Sequence, residues 1–113
     1  MGQQQLTMTV SQPRSGVHVV TASGECDLAE APRLEETLVG IAERRSCREV
    51  LLDVSEVSYL DSSGIAALWR ANVALEGAGC TLVLVAPSQP VLRVLALTDL
   101  EKWLEIRDSI ELS

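Results

Sequence analysis

The chain has 113 residues, 47% of them apolar, which suits one domain with one core that needs no metal or disulfide staple. It carries 9 basic against 16 acidic residues, a formal charge of −7, and that excess would repel nucleic acid or an anionic membrane surface. No apolar run approaches the ~18 residues of a membrane span, and the amino terminus lacks the basic-then-apolar order of a secretion signal. Met1-Gly2 opens like a myristoylation motif, but Leu6 stands where Ser or Thr is needed.

In chain order, Leu6-Thr7-Met8-Thr9-Val10 alternates apolar and polar residues and predicts a half-buried strand. Ser11 to Gly16, with Pro13, reads as a turn, and Val17 to Ala22 as a second strand returning antiparallel. Ser23-Gly24-Glu25 then reads as a loop. Ala31, Leu34, Leu38, Ile41 and Ala42 share one helical face. Asp27 is the expected cap of that helix, Pro32 lies in its first turn, and Arg44 and Arg45 stand at its far end.

Val50-Leu51-Leu52-Asp53-Val54 and Leu82-Val83-Leu84-Val85 are continuous apolar runs, as in strands covered on both faces. Between them Ile65, Leu68, Trp69 and Val73 mark a second helix that ends near Gly77-Ala78-Gly79. Val91, Leu92, Leu95 and Thr98 mark a third, opened by Pro87-Ser88-Gln89-Pro90. A short strand around Trp103–Ile106 follows, then at most a brief turn of helix. The expected architecture is α/β: a single domain over 1–113, with its core in about 6–107, built on a mixed sheet with an N-terminal antiparallel hairpin and helices packed against it.

The three cysteines, Cys26, Cys47 and Cys80, form no CxxC pair, and His18 is the single histidine, so no metal site is expected. An odd number of thiols with no evident pairing suits a reducing cytoplasm. Trp69 and Trp103 are expected in core positions, and Arg70 and Asn72 on a solvated helix face. The spacing of glycines offers no phosphate-cradling loop, so no nucleotide and no cofactor is expected.

The most informative stretch runs from the Leu51–Val54 strand to Asp61-Ser62-Ser63-Gly64 at a helix start. Asp61 is a favourable N-cap, and Leu60 and Ile65 are spaced as a hydrophobic staple. A hydroxyl in that first turn sits beside unpaired N–H groups and the positive end of the helix dipole. A phosphate there adds nearly two negative charges to one small patch, which makes the turn a candidate switch. Gly64, without a Cβ, is expected to let another protein's backbone approach.

Here the sequence resembles the STAS-domain anti-sigma factor antagonists. The resemblance rests on Val50–Ile65 with Asp61-Ser62-Ser63-Gly64, and on Gly24-Glu25-Cys26-Asp27 ahead of Pro32-Arg33-Leu34. It continues through Leu82–Val85, Pro90–Arg93 and Leu97-Thr98-Asp99-Leu100, the blocks together spanning about residues 6–107. Asp99 stands where the family often has glycine, and Cys26 where an aliphatic residue is usual.

The resemblance implies a non-enzymatic, partner-switching protein. Unmodified, it binds an anti-sigma factor that is itself a serine kinase, and so frees a sigma factor. The kinase then uses Mg-ATP to phosphorylate Ser62, and a serine phosphatase reverses this. By the same carry-over Asp61, Ser63 and Gly64 complete the contact turn, and Gly24, Glu25 and Asp27 are second-choice contacts. Two rivals remain. One is a constitutive docking subunit of a larger complex. The other is a hydrolase, for which G-x-S-x-G is absent and His18 would have to serve Ser62 or Ser63.

Overall fold

The computed structural model describes residues 5–44 and 46–110. The alternation at the start does produce a strand, β1 (Thr7–Arg14), but it runs through the expected turn. Pro13 is tolerated because β1 lies at the edge of the sheet, where its missing N–H is not needed, and the ladder is irregular between Ser11 and Arg14. The reversal is confined to Ser15-Gly16, and Gly16 supplies the left-handed φ of 80°. Antiparallel β2 (Val17–Cys26) then takes in Ser23-Gly24-Glu25, which was expected as a loop. Gly24 has φ 105°, and a Cβ there would strike the carbonyl oxygen of Gln5. Only glycine lets the start of β1 lie so close.

α1 (Ala31–Ala42) carries Pro32 in its first turn and buries Ala31, Leu34, Leu38 and Ile41. Its N-cap is Glu30, not Asp27, whose carboxylate instead accepts from the N–H groups of Ala29 (3.0 Å) and Glu30 (3.1 Å) in the preceding turn. The helix stops short of Arg44, and Arg45 lies outside the described residues. β3 (Glu49–Leu60) is 12 residues long and runs straight to the capping residue of α2 (Ser62–Gly77), with no intervening loop. β4 (Thr81–Val85), α3 (Gln89–Thr98), a 3₁₀ turn at Leu100–Lys102 and β5 (Glu105–Arg107) complete the order. Asp99 ends α3 at φ 58°, the conformation glycine would supply, which Asp tolerates better than most residues. Residues 108–110 are not helical, and any later turn of helix lies outside the described residues.

The sheet order is β1-β2-β3-β4-β5, antiparallel at the first pair and parallel at the other three. This is the mixed sheet with an N-terminal hairpin that the sequence predicts. One core joins Val20, Ala22, Val50, Leu52, Leu82 and Leu84 to the buried faces of the three helices. The alternate positions Val17, Leu51, Val83 and Val85 form a smaller cluster, so the central strands are covered on both faces. Among the described residues no helix is long and apolar enough to cross a membrane.

Three expectations fail. Trp69 is 39% exposed and Trp103 70%, so neither is a core residue. Asn72 is buried and donates its amide to Glu76 Oε1 (2.9 Å), whereas Arg70 is exposed as expected and pairs with Glu35 of α1 (2.7 Å). Cys47 and Cys80 are joined as a disulfide, leaving Cys26 as the buried free thiol. The thiols therefore no longer argue for a reducing compartment.

His18 is 1% exposed, and neither ring nitrogen has a hydrogen-bond partner among the described residues. Burial, aided by the nearby Arg44 charge, lowers its pKa below the ordinary 6.5. The unfolded chain therefore takes up a proton near pH 6.5 that the folded chain refuses. Stability from this group is complete above that pH and is lost as pH falls, by up to about 1.4 kcal/mol per unit. Replacing His18 with leucine is expected to remove that part of the acid limb, read as the difference between the two proteins' urea midpoints from pH 7 to 5. Parallel curves would show that His18 does not titrate differently on folding.

Candidate functional site

The site forms where two parallel strands end side by side. Cys26 of β2 lies opposite Leu60 of β3, and the Asp61 N–H reaches the Cys26 carbonyl at 3.4 Å. This brings the β2–α1 turn and the start of α2 together at one end of the sheet. His18 lies opposite Val50, eight residues back along β2. At about 3.3 Å per residue it is on the order of 25 Å from this end. A Ser62–His18 dyad therefore has no geometry.

Asp61 is the N-cap of α2 with extended backbone. Its Oδ1 accepts from the N–H groups of Ser63 (2.9 Å) and Gly64 (3.2 Å), and its carbonyl from Ile65 (3.0 Å). Leu60 and Ile65 on either side are both buried in the main core, as the staple spacing predicts. Ser62, the first helical residue, is exposed; Ser63 is half-buried, with its N–H held by Asp61. The capping carboxylate thus occupies the N–H groups that a phosphate would otherwise use. A phosphate on Ser62 gains little from the helix end and faces outward, next to a carboxylate.

The glycines have internal duties. Gly64 is buried, and a Cβ there would meet the Leu60 side chain and the Cys26 carbonyl and Sγ. The close approach it permits is by β2 of this same chain. Gly24 is likewise buried against Gln5. Of the remaining expected contacts, Glu25, Asp27, Asp61 and Ser63 are half-buried and only Ser62 is fully presented. The carboxylates nonetheless set the local field: burial first, then Asp61, Asp27 and Glu30, push the Cys26 thiol up to about 11. Acidic side chains thus dominate the immediate surroundings of Cys26 at this end of the sheet.

Beside Ser62 lies a cleft of about 480 Å³. α2 contributes Ser62, Ile65, Ala66 and Trp69 to one wall; Thr98, Leu100 and Trp103 form the other. The two tryptophans are the only ones in the chain. Reading the sequence for core positions missed this feature, although a signal was there. Ser62, Ile65, Ala66 and Trp69 are spaced i, i+3, i+4, i+7, so they share one helical face with the serine. Leu28, in the turn beside Asp27, is 74% exposed at the same end.

The family model described as "Mlab, STAS domain" matches residues 9–108. The chain is 26% identical over 94 residues to the anti-sigma F factor antagonist of Paenibacillus polymyxa, covering 83% of this chain and 80% of that one. It is 29% identical over 89 residues to the anti-sigma-B factor antagonist of Listeria monocytogenes, covering 79% and 77%. Among solved structures, an anti-sigma factor antagonist from Mycobacterium paratuberculosis superposes with a TM-score of 0.81 at 27% identity, covering 94% of this chain and 88% of that one. These proteins are named as regulatory antagonists, not as enzymes.

Proposed function

The chain belongs to the STAS-domain family, and from that premise we propose that it is an anti-sigma factor antagonist switched by phosphorylation at Ser62. In the unmodified state it binds an anti-sigma factor with serine kinase activity and so frees a sigma factor in the cytoplasm. Mg-ATP-dependent transfer to Ser62 dissociates the pair, and a serine phosphatase restores the binding form.

The observation that carries this reading is the contrast between the two serines. Ser62 is exposed on the first turn, while Ser63 is half-buried and tied to Asp61. The partner seats over the Ser62 turn and lays an apolar side chain between Trp69 and Trp103. The cleft has the size and apolar lining of a small binding pocket, and the exposed indoles are of the type that dominates interface energetics.

The test is site mapping by mass spectrometry after incubation with Mg-ATP and lysate of the source organism, alongside Ser62→Ala. One phosphate on Ser62 of the wild type and none on the variant is expected. A phosphate on Ser63 would overturn the site assignment. No phosphate on either, in a lysate that modifies a control antagonist, would favour an unmodified docking module.

A further inference from the structure

We propose that Cys47 and Cys80 are a reversible thiol–disulfide site that sets how firmly the Ser62-bearing segment is held in the fold. The two cysteines lie just before β3 and β4, whose parallel ladder begins with Glu49 opposite Thr81. Backbone bonds fix both positions independently of the sulfurs. The Thr81 N–H donates to the Arg48 carbonyl (2.9 Å), the Cys80 N–H to Leu75 (2.8 Å) and the Cys47 N–H to Arg44 (3.3 Å). Their Cα atoms are 5.7 Å apart, within the ordinary range for a disulfide. Opening the bond therefore leaves the sulfurs facing each other, and the fold favours closing it again.

The bond spans 33 positions, and those positions contain the whole of β3, the Asp61 cap and α2. It ties the two ends of the phosphoacceptor unit together at the end of the strands opposite Ser62. Its state bears on the stability of that unit and leaves the docking surface itself unchanged. The third thiol is no competitor. Cys26 is 1% exposed and its pKa is pushed up to about 11, so it carries almost no thiolate.

The structure holds the oxidised product. From the dithiol, a low-molecular-weight disulfide RSSR completes the step. The thiolate of Cys47, the more exposed of the pair at 8% against 2%, attacks one sulfur of RSSR. A Cys47–S–S–R bond forms, and RS⁻ leaves and takes up the proton that Cys47 lost. The Cys80 thiolate then attacks the Cys47 sulfur, the ring closes and a second RSH departs. Two protein thiols lose two electrons, and one RSSR becomes two RSH.

The test uses the full chain with glutathione disulfide as the probe, followed by intact mass, peptide mapping and thermal melting with and without reductant. The wild type is expected to lose two hydrogens in a Cys47–Cys80 link, and its Tm to fall by on the order of 10 °C on reduction and recover on reoxidation. Cys47→Ser and Cys80→Ser should lose this reductant response, and Cys80→Ser should accumulate the mixed disulfide on Cys47. Cys26→Ser should respond as the wild type does. Wild-type protein that keeps both thiols after the probe, or whose Tm is the same in both states, overturns the proposal; both readouts come from the unmutated chain. A reductant shift that persists without Cys47 would do the same.

Discussion

Ser62→Asp is expected to bind the anti-sigma factor roughly 30- to 1,000-fold more weakly than Ser62→Ala, corresponding to about 2–4 kcal/mol. The expectation follows from what surrounds the hydroxyl. The N–H groups of Ser63 and Gly64 are already taken by Asp61, so the added charge cannot fold back onto the helix end. It stays on a surface where Asp61, Asp27 and Glu30 already act together on Cys26. A partner covering that surface must desolvate the new charge among like charges, and truncation of a buried charge pair shows how large such terms are.

The same geometry predicts little effect on the fold. Ser62 is exposed and makes no side-chain hydrogen bond among the described residues, so both variants should melt within a few degrees of the wild type. Titration calorimetry against the purified kinase reads the affinities, and Ser62→Ala should remain bound when Mg-ATP is added. Equal affinities for the two variants would remove the switch and leave constitutive docking.

How much of this was legible in the sequence depends on which physical rule governed each stretch. The central strands were, because Leu51–Val54 and Leu82–Val85 are buried on both faces and show it as continuous apolar runs. The second half of β3 was not. Val54, Val57 and Leu60 are buried three residues apart, a spacing that matches neither strand nor helix. The cause is two register shifts in the ladder to β2, between Thr21 and Ser23 and between Gly24 and Glu25. Each irregularity displaces the inward-facing position by a residue. The same shifts hid the strand character of Gly24. The disulfide was illegible for another reason: its partners become neighbours only when two parallel strands start in register.

α2 shows the limit of periodicity most directly. Helical spacing groups Ile65, Leu68 and Trp69 by hydrophobicity, yet the core face sets Ile65, Leu68 and Leu75 beside the small residues Gly64, Ala67 and Ala71. Small side chains bring the helix close to its neighbours, and Trp69 is turned to the edge of that face, into the cleft. Asp61-Ser62-Ser63-Gly64 was readable as a capped helix start from local rules alone. That Gly64 serves β2 and not a partner needed the three-dimensional contact with Cys26.

Trp69→Ala and Trp103→Ala are each expected to weaken kinase binding by about 2–3 kcal/mol, a loss of roughly 30- to 150-fold. Trp103 is 70% exposed, so its truncation removes little that the isolated fold buries; Trp69 is 39% exposed, and Trp69→Ala is expected to lower the Tm as well. Their value arises when a partner fills the cleft and excludes water from two indole faces. Leu97 provides the control. It is 81% exposed on α3 but does not line the cleft, so Leu97→Ala should leave affinity unchanged. Because both of the chain's tryptophans face this one cleft, their combined fluorescence should also shift on binding, and each single variant should lose part of that signal. If Trp69→Ala, Trp103→Ala and Leu97→Ala bind alike and the emission does not move, the partner sits elsewhere around Ser62, and the exposed Leu28 beside Asp27 becomes the next anchor to test.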